Sequence, residues 1–331
     1  MRSEKRSPGM LSSMTKSICC GSRYCGSMPG LVSAGGKRPV WKGRLVYTAI
    51  MMKTIRVGSR LLDLQRPVVM AIINVTPDSF FAGSRTPEVR AVRERVHKAV
   101  AEGASIIDVG GYSSRPGAAD VPPAEELRRV SLAVEVIRNE YPEMAVSVDT
   151  FRASVAEGVI SRFGPCIVND ISAGELDADI MGVAARYGVP YIAMHMRGTP
   201  ADMQGRTVYG DITREVVEYL AGRLEAARRA GIRDVVLDPG FGFAKTTAQN
   251  YELLAGMGGI AELGCPVLAG VSRKSMIYKV LGVTPDDSLN GTTALNWECL
   301  RQGADILRVH DVAPAAEAVR LFNFYREHGR I

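Results

Sequence analysis

The stretch DVVLDPGFGF, residues 234–243, carries a short apolar run, Val235-Val236-Leu237, into an abrupt exit through Asp238, Pro239 and Gly240. A run this short, closed by an acid and two helix-breaking residues, reads as a buried strand whose end opens into a loop. The pattern recurs downstream, where apolar residues 266–271 give way to Ser272-Arg273-Lys274-Ser275. One strand end supplies an acid and the other two cations, which suits a ligand with a hydrogen-bond donor edge and an anionic tail. Outward from these two exits the same alternation fills the chain. Strands are expected at 68–73, 105–109, 145–148, 166–168, 190–194, 234–237, 266–270 and 305–309. Amphipathic helical stretches lie near 87–101, 123–140, 152–162, 177–187, 213–230, 247–263, 291–301 and 314–327. Eight such alternations without a large insertion predict a closed (β/α)8 barrel, one domain over residues 52–331, rather than an open doubly wound sheet.

In such a barrel the C-terminal strand ends form one rim, and the polar residues of this chain collect there. Asn74 follows the first strand, Ser114 and Arg115 the second, Asp149 the third, Asn169 the fourth and Asp238 the sixth. Ser272 to Lys274 follow the seventh, and Arg308 and His310 mark the eighth. Taken singly, Asp238, Asp149 and Asn169 read equally well as turn-capping residues, and Lys274 as a solvated charge. Their shared position on one rim favours a pocket.

Several ordered motifs sharpen this reading: Asn74-Val75-Thr76-Pro77-Asp78-Ser79-Phe80, Gly110-Gly111-Tyr112-Ser113-Ser114-Arg115-Pro116-Gly117, Ser147-Val148-Asp149-Thr150, Asn169-Asp170-Ile171, the two exits above, and Arg308-Val309-His310-Asp311. From about Val68 to the C-terminus, the chain resembles the dihydropteroate synthases, which join a pterin pyrophosphate to p-aminobenzoate in folate biosynthesis. The resemblance implies that Asp149, Asn169, Met194, Asp238 and Lys274 hold the pterin, and that Asn74, Arg115, Arg308 and His310 hold the pyrophosphate. It implies a Mg²⁺ ion at Asn74. It assigns p-aminobenzoate to Ser114, Arg115, Pro116, Phe243, Lys274 and Ser275, and catalysis to Asp149, Lys274, Arg308 and His310. It further implies a homodimer formed by the later helices, sulfonamide inhibition, and no nucleic-acid or membrane partner.

The chemistry of these residue types agrees with that assignment. A carboxylate such as Asp238 matches the paired donors of a pterin edge, each charge-assisted bond contributing about 1.5–3 kcal/mol. Arg308 and His310 stand at alternate positions and are expected to grip phosphate oxygens together. Phe243 and the stem of Lys274 can sandwich an aromatic ring, while Ser275 and a helix start suit a carboxylate. An arylamine is already neutral and needs no general base, so a dissociative displacement of pyrophosphate is expected, with Asp149 stabilising the pterin methylene cation. Two positions depart from the commonest loop pattern, Glu-Ser-Thr-Arg-Pro-Gly: Tyr112 replaces the Glu and Ser114 the Thr. A pterin-binding methyltransferase barrel is the neighbouring alternative, and it has no use for Arg273, Lys274, Arg308 and His310 together. A paralogue that keeps the pterin pocket without condensing p-aminobenzoate is the binding-class alternative, kept open by Tyr112.

Charge and cysteine bound the rest. The net charge of +6 is misleading, because residues 1–50 hold nine Lys or Arg and one acid, so the remainder carries −2. That segment is rich in Ser, Gly, Cys and Arg and has no apolar run fit for a signal peptide or membrane span. Residues 1–51 are expected to be a disordered basic extension, with a transit peptide as the alternative and translation from Met51 or Met52 as the simpler reading. Cys166, Cys265 and Cys299 sit beside apolar runs without metal-ligand spacing and are expected to be buried thiols of a cytoplasmic protein.

Overall fold

The computed structural model describes residues 53–75, 85–113 and 120–329. The expectation of a disordered extension over 1–51 lies outside those residues, as do Ser114, Arg115, Pro116 and Thr76 to Phe80. All eight expected strands form: β3 (Val68–Asn74), β4 (Ile106–Gly110), β5 (Ala145–Asp149), β6 (Ile167–Asp170), β7 (Tyr191–Met194), β8 (Val235–Asp238), β9 (Leu268–Ala269) and β10 (Ile306–Val309). They pair in parallel in the order β8-β7-β6-β5-β4-β3-β10-β9. A further bridge between Leu237 and Val267 joins the two ends, with the Leu237 N–H donating to Pro266 O at 2.9 Å, so the barrel closes.

Two elements precede it that the sequence reading did not separate, β1 (Thr54–Val57) and β2 (Arg60–Asp63), an antiparallel hairpin turning at Gly58-Ser59. Ile55, Val57 and Leu62 of this hairpin, with Leu64, pack on Met70, Ile106, Ala145, Ile167, Ile192, Val236, Leu268 and Ile306. Those eight side chains lie near the strand starts, so the hairpin plugs the N-terminal mouth. Lys53 reinforces it with an ion pair to Asp305 at 2.8 Å. The other face of each strand meets the helical layer, where Val69, Ile107, Val146, Val168 and Leu237 join Ile137, Leu220 and Phe322 in the main core.

The helices are α1 (Arg85–Ala101), α2 (Pro123–Glu140), α3 (Ala153–Phe163), α4 (Ile180–Tyr187), α5 (Ile212–Ala230), α6 (Thr247–Ala255), α7 (Gly258–Ala261), α8 (Ser275–Leu281), α9 (Leu289–Arg301) and α10 (Val312–His328). Two differ from the sequence reading. The single helix expected over 247–263 breaks near Gly256 into α6 and α7, Gly being a poor helix former. The short α8 was not expected, because seven residues are too few to show a period. Cys166, Cys265 and Cys299 are buried free thiols. No helix among the described residues is long and apolar enough to cross a membrane.

Candidate active site

The strand ends bring Asn74, Asp149, Asn169, Asp238, Lys274 and Arg308 onto the C-terminal rim, as the barrel predicts. Asp238 ends β8 almost fully buried, and its Oδ1 accepts the Gly240 N–H at 2.7 Å. That turn requires glycine: Gly240 has φ +67°, and a Cβ there would fall 2.0 Å from His195 O. Burial pushes the Asp238 carboxyl above its usual range, and the nearby Lys274 ammonium pulls it back.

Lys274 reaches into the same space. Its Nζ donates to Phe241 O at 2.5 Å and stands 5.0 Å from the centre of the Phe243 ring. Burial pulls its ammonium down to about 8, with Asp238 working in the opposite sense. Met194 pairs in register with Asp238 and joins Ile171, Met196, Met203 and Ala244 in a small apolar cluster against which Phe151 and Phe243 pack. An acidic edge, an apolar floor and a cation therefore share one wall.

Arg308 is placed differently from the expectation of a fork aimed at phosphate. Its Nε donates to Asp108 Oδ2 at 2.7 Å and its Nη2 to Asp149 Oδ2 at 2.6 Å. A largely buried guanidinium requires such partners, because leaving it unpaired costs more than any surface charge could. Asp108 is the residue that sequence reasoning missed. It is fully buried in the middle of β4, and its Oδ2 also accepts from Asn169 Nδ2 at 3.1 Å. Its Oδ1 has no hydrogen-bond partner. Embedded in the run Ile106-Ile107-Asp108-Val109, it carries one signal, a charge facing inward where apolar residues are the rule.

Asp149 lies beside this network with about a fifth of its side chain exposed. Burial raises its carboxyl, the Arg308 guanidinium lowers it, and Asp108 raises it again. Asn74 converges on the same corner: a Cβ at Gly110 would lie 3.3 Å from Asn74 Oδ1 and 3.7 Å from Asp149 Oδ2. A neutral oxygen donor near one carboxylate suits a hard cation that takes most of its ligands from phosphate and water. Among the described residues no group of three or more His, Cys, Asp or Glu could form a metal cage.

His310 stands just beyond β10. Its backbone N–H donates to Ser272 Oγ at 3.1 Å, and Oγ meets its Nδ1 at 3.0 Å. The contact fits either tautomer of the ring: when the Ser272 hydroxyl donates to Nδ1, the neutral imidazole carries its proton on Nε2 and can donate there. Arg273 departs from the two-cation reading of its loop. With φ +53° it turns aside, and its guanidinium grips Asp311 at 2.7 and 2.9 Å. Ser275 opens α8 at the rim, half-buried. Tyr112, the departure from the common loop pattern, stacks edge-on to Phe151 at 5.3 Å, with Arg152 over both rings. Asp170, by contrast, is internal: it accepts from Ser172, Gly174 and Tyr191.

Comparison with known proteins now bears on this geometry. Residues 70–310 match the family described as pterin binding enzyme. The chain is 41% identical over 272 residues to a dihydropteroate synthase of Synechocystis, spanning 80% of this chain and 92% of that protein. It superposes on the Xanthomonas albilineans dihydropteroate synthase with 4-aminobenzoic acid at a TM-score of 0.77 and 38% identity, covering 83% of this chain and 98% of that one. The Yersinia pestis dihydropteroate synthase in a sulfonamide drug complex gives a TM-score of 0.77 and 37% identity, covering 83% and 99%.

Proposed function

The chain belongs to the pterin-binding enzymes as a dihydropteroate synthase, a transferase of folate biosynthesis acting on small molecules, and from that premise we propose how its pocket divides the work. The reading rests on one observation above all, the convergence of Asp238, Asn169, Asp149, Lys274 and Arg308 from five strands on a single rim with an apolar floor at Met194. Asp238 and Asn169 take the donor and acceptor edges of the pterin, and Lys274 meets its remaining polar edge. The Phe243 ring and the Lys274 stem flank p-aminobenzoate, with Ser275 at its carboxylate and Ser114, Arg115 and Pro116 completing that side.

The bond from the pterin methylene carbon to the pyrophosphate oxygen breaks with its electron pair going to oxygen. Asp149 faces the resulting cation. Burial and the neighbouring Asp108 raise its carboxyl to about 7, and the bound Arg308 guanidinium works against them in favour of the ionised form. His310, Arg115 and Arg308 take the leaving pyrophosphate. The p-aminobenzoate nitrogen then forms the new C–N bond and releases its proton to solvent. Asn74 would hold a Mg²⁺ ion, which would supply charge neutralisation to the leaving group. Electrostatic groups of this kind are worth on the order of 10²–10³ in rate each.

The exposed Leu321, Phe324 and Tyr325 of α10 support assembly as a homodimer through the later helices. The three buried free thiols support a reducing cytoplasmic setting. Sulfonamides, which copy the flat ring and anionic end of p-aminobenzoate, compete with it and not with the pterin. The decisive test is calorimetric titration of Asp238→Ala with 6-hydroxymethylpterin. Loss of binding in a folded variant supports the assignment, and affinity within about threefold of the parent, less than one charge-assisted bond, removes it.

A further inference from the structure

The loop that carries Asp238 and Phe243 is tied together by a cation the condensation does not use. Lys245 is 5% exposed, and its Nζ lies 2.8 Å from Gly240 O, 3.0 Å from Phe243 O and 2.9 Å from His195 Nδ1. His195 is itself buried, and that burial, with Lys245 beside it, holds its imidazole down to about 2. With its proton on Nε2, a neutral His195 offers Nδ1 as an acceptor, and three acceptors then surround the Lys245 nitrogen. Burial depresses the Lys245 ammonium, and the Asp238 carboxylate acts against that.

The backbone around this nitrogen is wound unusually. Gly240, Gly242 and Ala244 have φ of +67°, +83° and +50°. The first two are glycines, for which the left-handed region is free of side-chain strain; Ala244 is not, and its conformation must be held by its surroundings. Surrounding bonds are consistent with that: the Tyr209 hydroxyl donates to Ala244 O at 3.0 Å, and the Gly242 N–H donates to Asn250 Oδ1 at 2.7 Å. Two carbonyls of this wound segment, Gly240 O and Phe243 O, accept from Lys245 Nζ.

We propose that Lys245 is a positioning residue of the condensation: by gathering Gly240 O, Phe243 O and His195 around its side-chain nitrogen, it fixes the loop that sets the Asp238 carboxylate against the pterin and the Phe243 ring against p-aminobenzoate. The inference rests on the roles given above to Asp238 and Phe243. It predicts that one substitution impairs both ligand sites at once.

Lys245→Met keeps an apolar stem of similar shape and removes every donor. Expected is a folded variant whose Kd for 6-hydroxymethylpterin and whose KM for p-aminobenzoate both rise about tenfold, the scale of a lost charge-assisted bond. Ala244→Gly in the Lys245→Met background should restore part of both, because glycine adopts the left-handed turn without being held. A lowered melting temperature with both constants within about threefold of the parent overturns the proposal, since that is what a merely stabilising residue would give. A loss that Ala244→Gly restores in no part overturns it as well. If Lys245→Met does not fold, His195→Leu removes one of the three partners and carries the same comparison at smaller amplitude, with unchanged constants again overturning it. Asp238→Asn separates the levels: if it abolishes pterin binding while Lys245→Met does not weaken it, the positioning role alone falls, and if Asp238→Asn is also silent, the pocket assignment falls with it.

Discussion

At the scale of the residue, the pocket is governed by which buried charges have partners. Lys274 is a pocket cation that burial brings down to about 8. Below that pH it is an ammonium able to hold the ligand's polar edge; above it the charge is lost. The kcat/KM for dihydropterin pyrophosphate should therefore fall as pH rises through about 8. Lys274→Gln, neutral throughout, should start from a lower plateau and lose that limb, and a pH–rate profile of the two proteins checks both statements. Asp108 is the opposite case, a buried anion stabilised by Arg308 and Asn169. Asp108→Asn leaves Arg308 with one carboxylate in place of two. Removing one partner of a buried pair costs about 3–5 kcal/mol, which in a protein of this size lowers Tm by on the order of 10 °C. Turnover should fall with it, because the same guanidinium orients Asp149; calorimetry and steady-state rates measure the two losses separately. Neither feature of Asp108 is visible in sequence, where it looks like an interruption of an apolar run. Arg273 errs the other way: beside Lys274 it reads as a second pocket cation, and only the left-handed backbone at that position turns it to Asp311.

At the scale of the element, the eight barrel strands and their rim are written in the sequence because each strand is a compact apolar run ending in a polar exit, a pattern that needs no tertiary knowledge. What escapes it lies where the signal is too short. β1 and β2 have four residues each, α8 has seven, and the break at Gly256 interrupts a stretch that still looks amphipathic from end to end. The exits depend on backbone shape more than on side-chain type, and Gly240 is the sharpest example. A Cβ there would meet His195 O at 2.0 Å and would sit at φ +67°, so both the collision and the left-handed penalty of about 1–2 kcal/mol apply. Gly240→Ala should push β7 and β8 apart at their C-terminal ends. It is expected to cost more than about 2 kcal/mol and to weaken pterin binding at least tenfold, read by thermal melting and by titration. An unchanged titration in the altered protein would mean that the turn does not set the Asp238 carboxylate.

At the scale of the whole molecule, the barrel separates stability from chemistry along its axis. The N-terminal mouth is closed by apolar side chains from every strand together with the hairpin, and among the described residues the polar assembly lies at the other end. Ile55 is the centre of the plug, 1% exposed, on a hairpin strand that contributes nothing to the rim. Ile55→Ala removes buried methyl groups from a cluster whose other members are held in the barrel wall and cannot move in to fill the gap. The cost should be about 2–5 kcal/mol, or on the order of 10 °C in Tm. At a temperature well below that transition, kcat and both KM values should equal those of the parent, because no strand end is displaced. Asp238→Asn is expected to do the reverse, losing pterin affinity by on the order of ten- to a hundredfold while removing the desolvation cost of a buried carboxylate, so that its Tm holds or rises. Melting curves and steady-state kinetics on the two variants test the separation directly. If Ile55→Ala lowers kcat in the folded protein, the two ends of the barrel are mechanically coupled, and the rim's geometry depends on the packing of the plug.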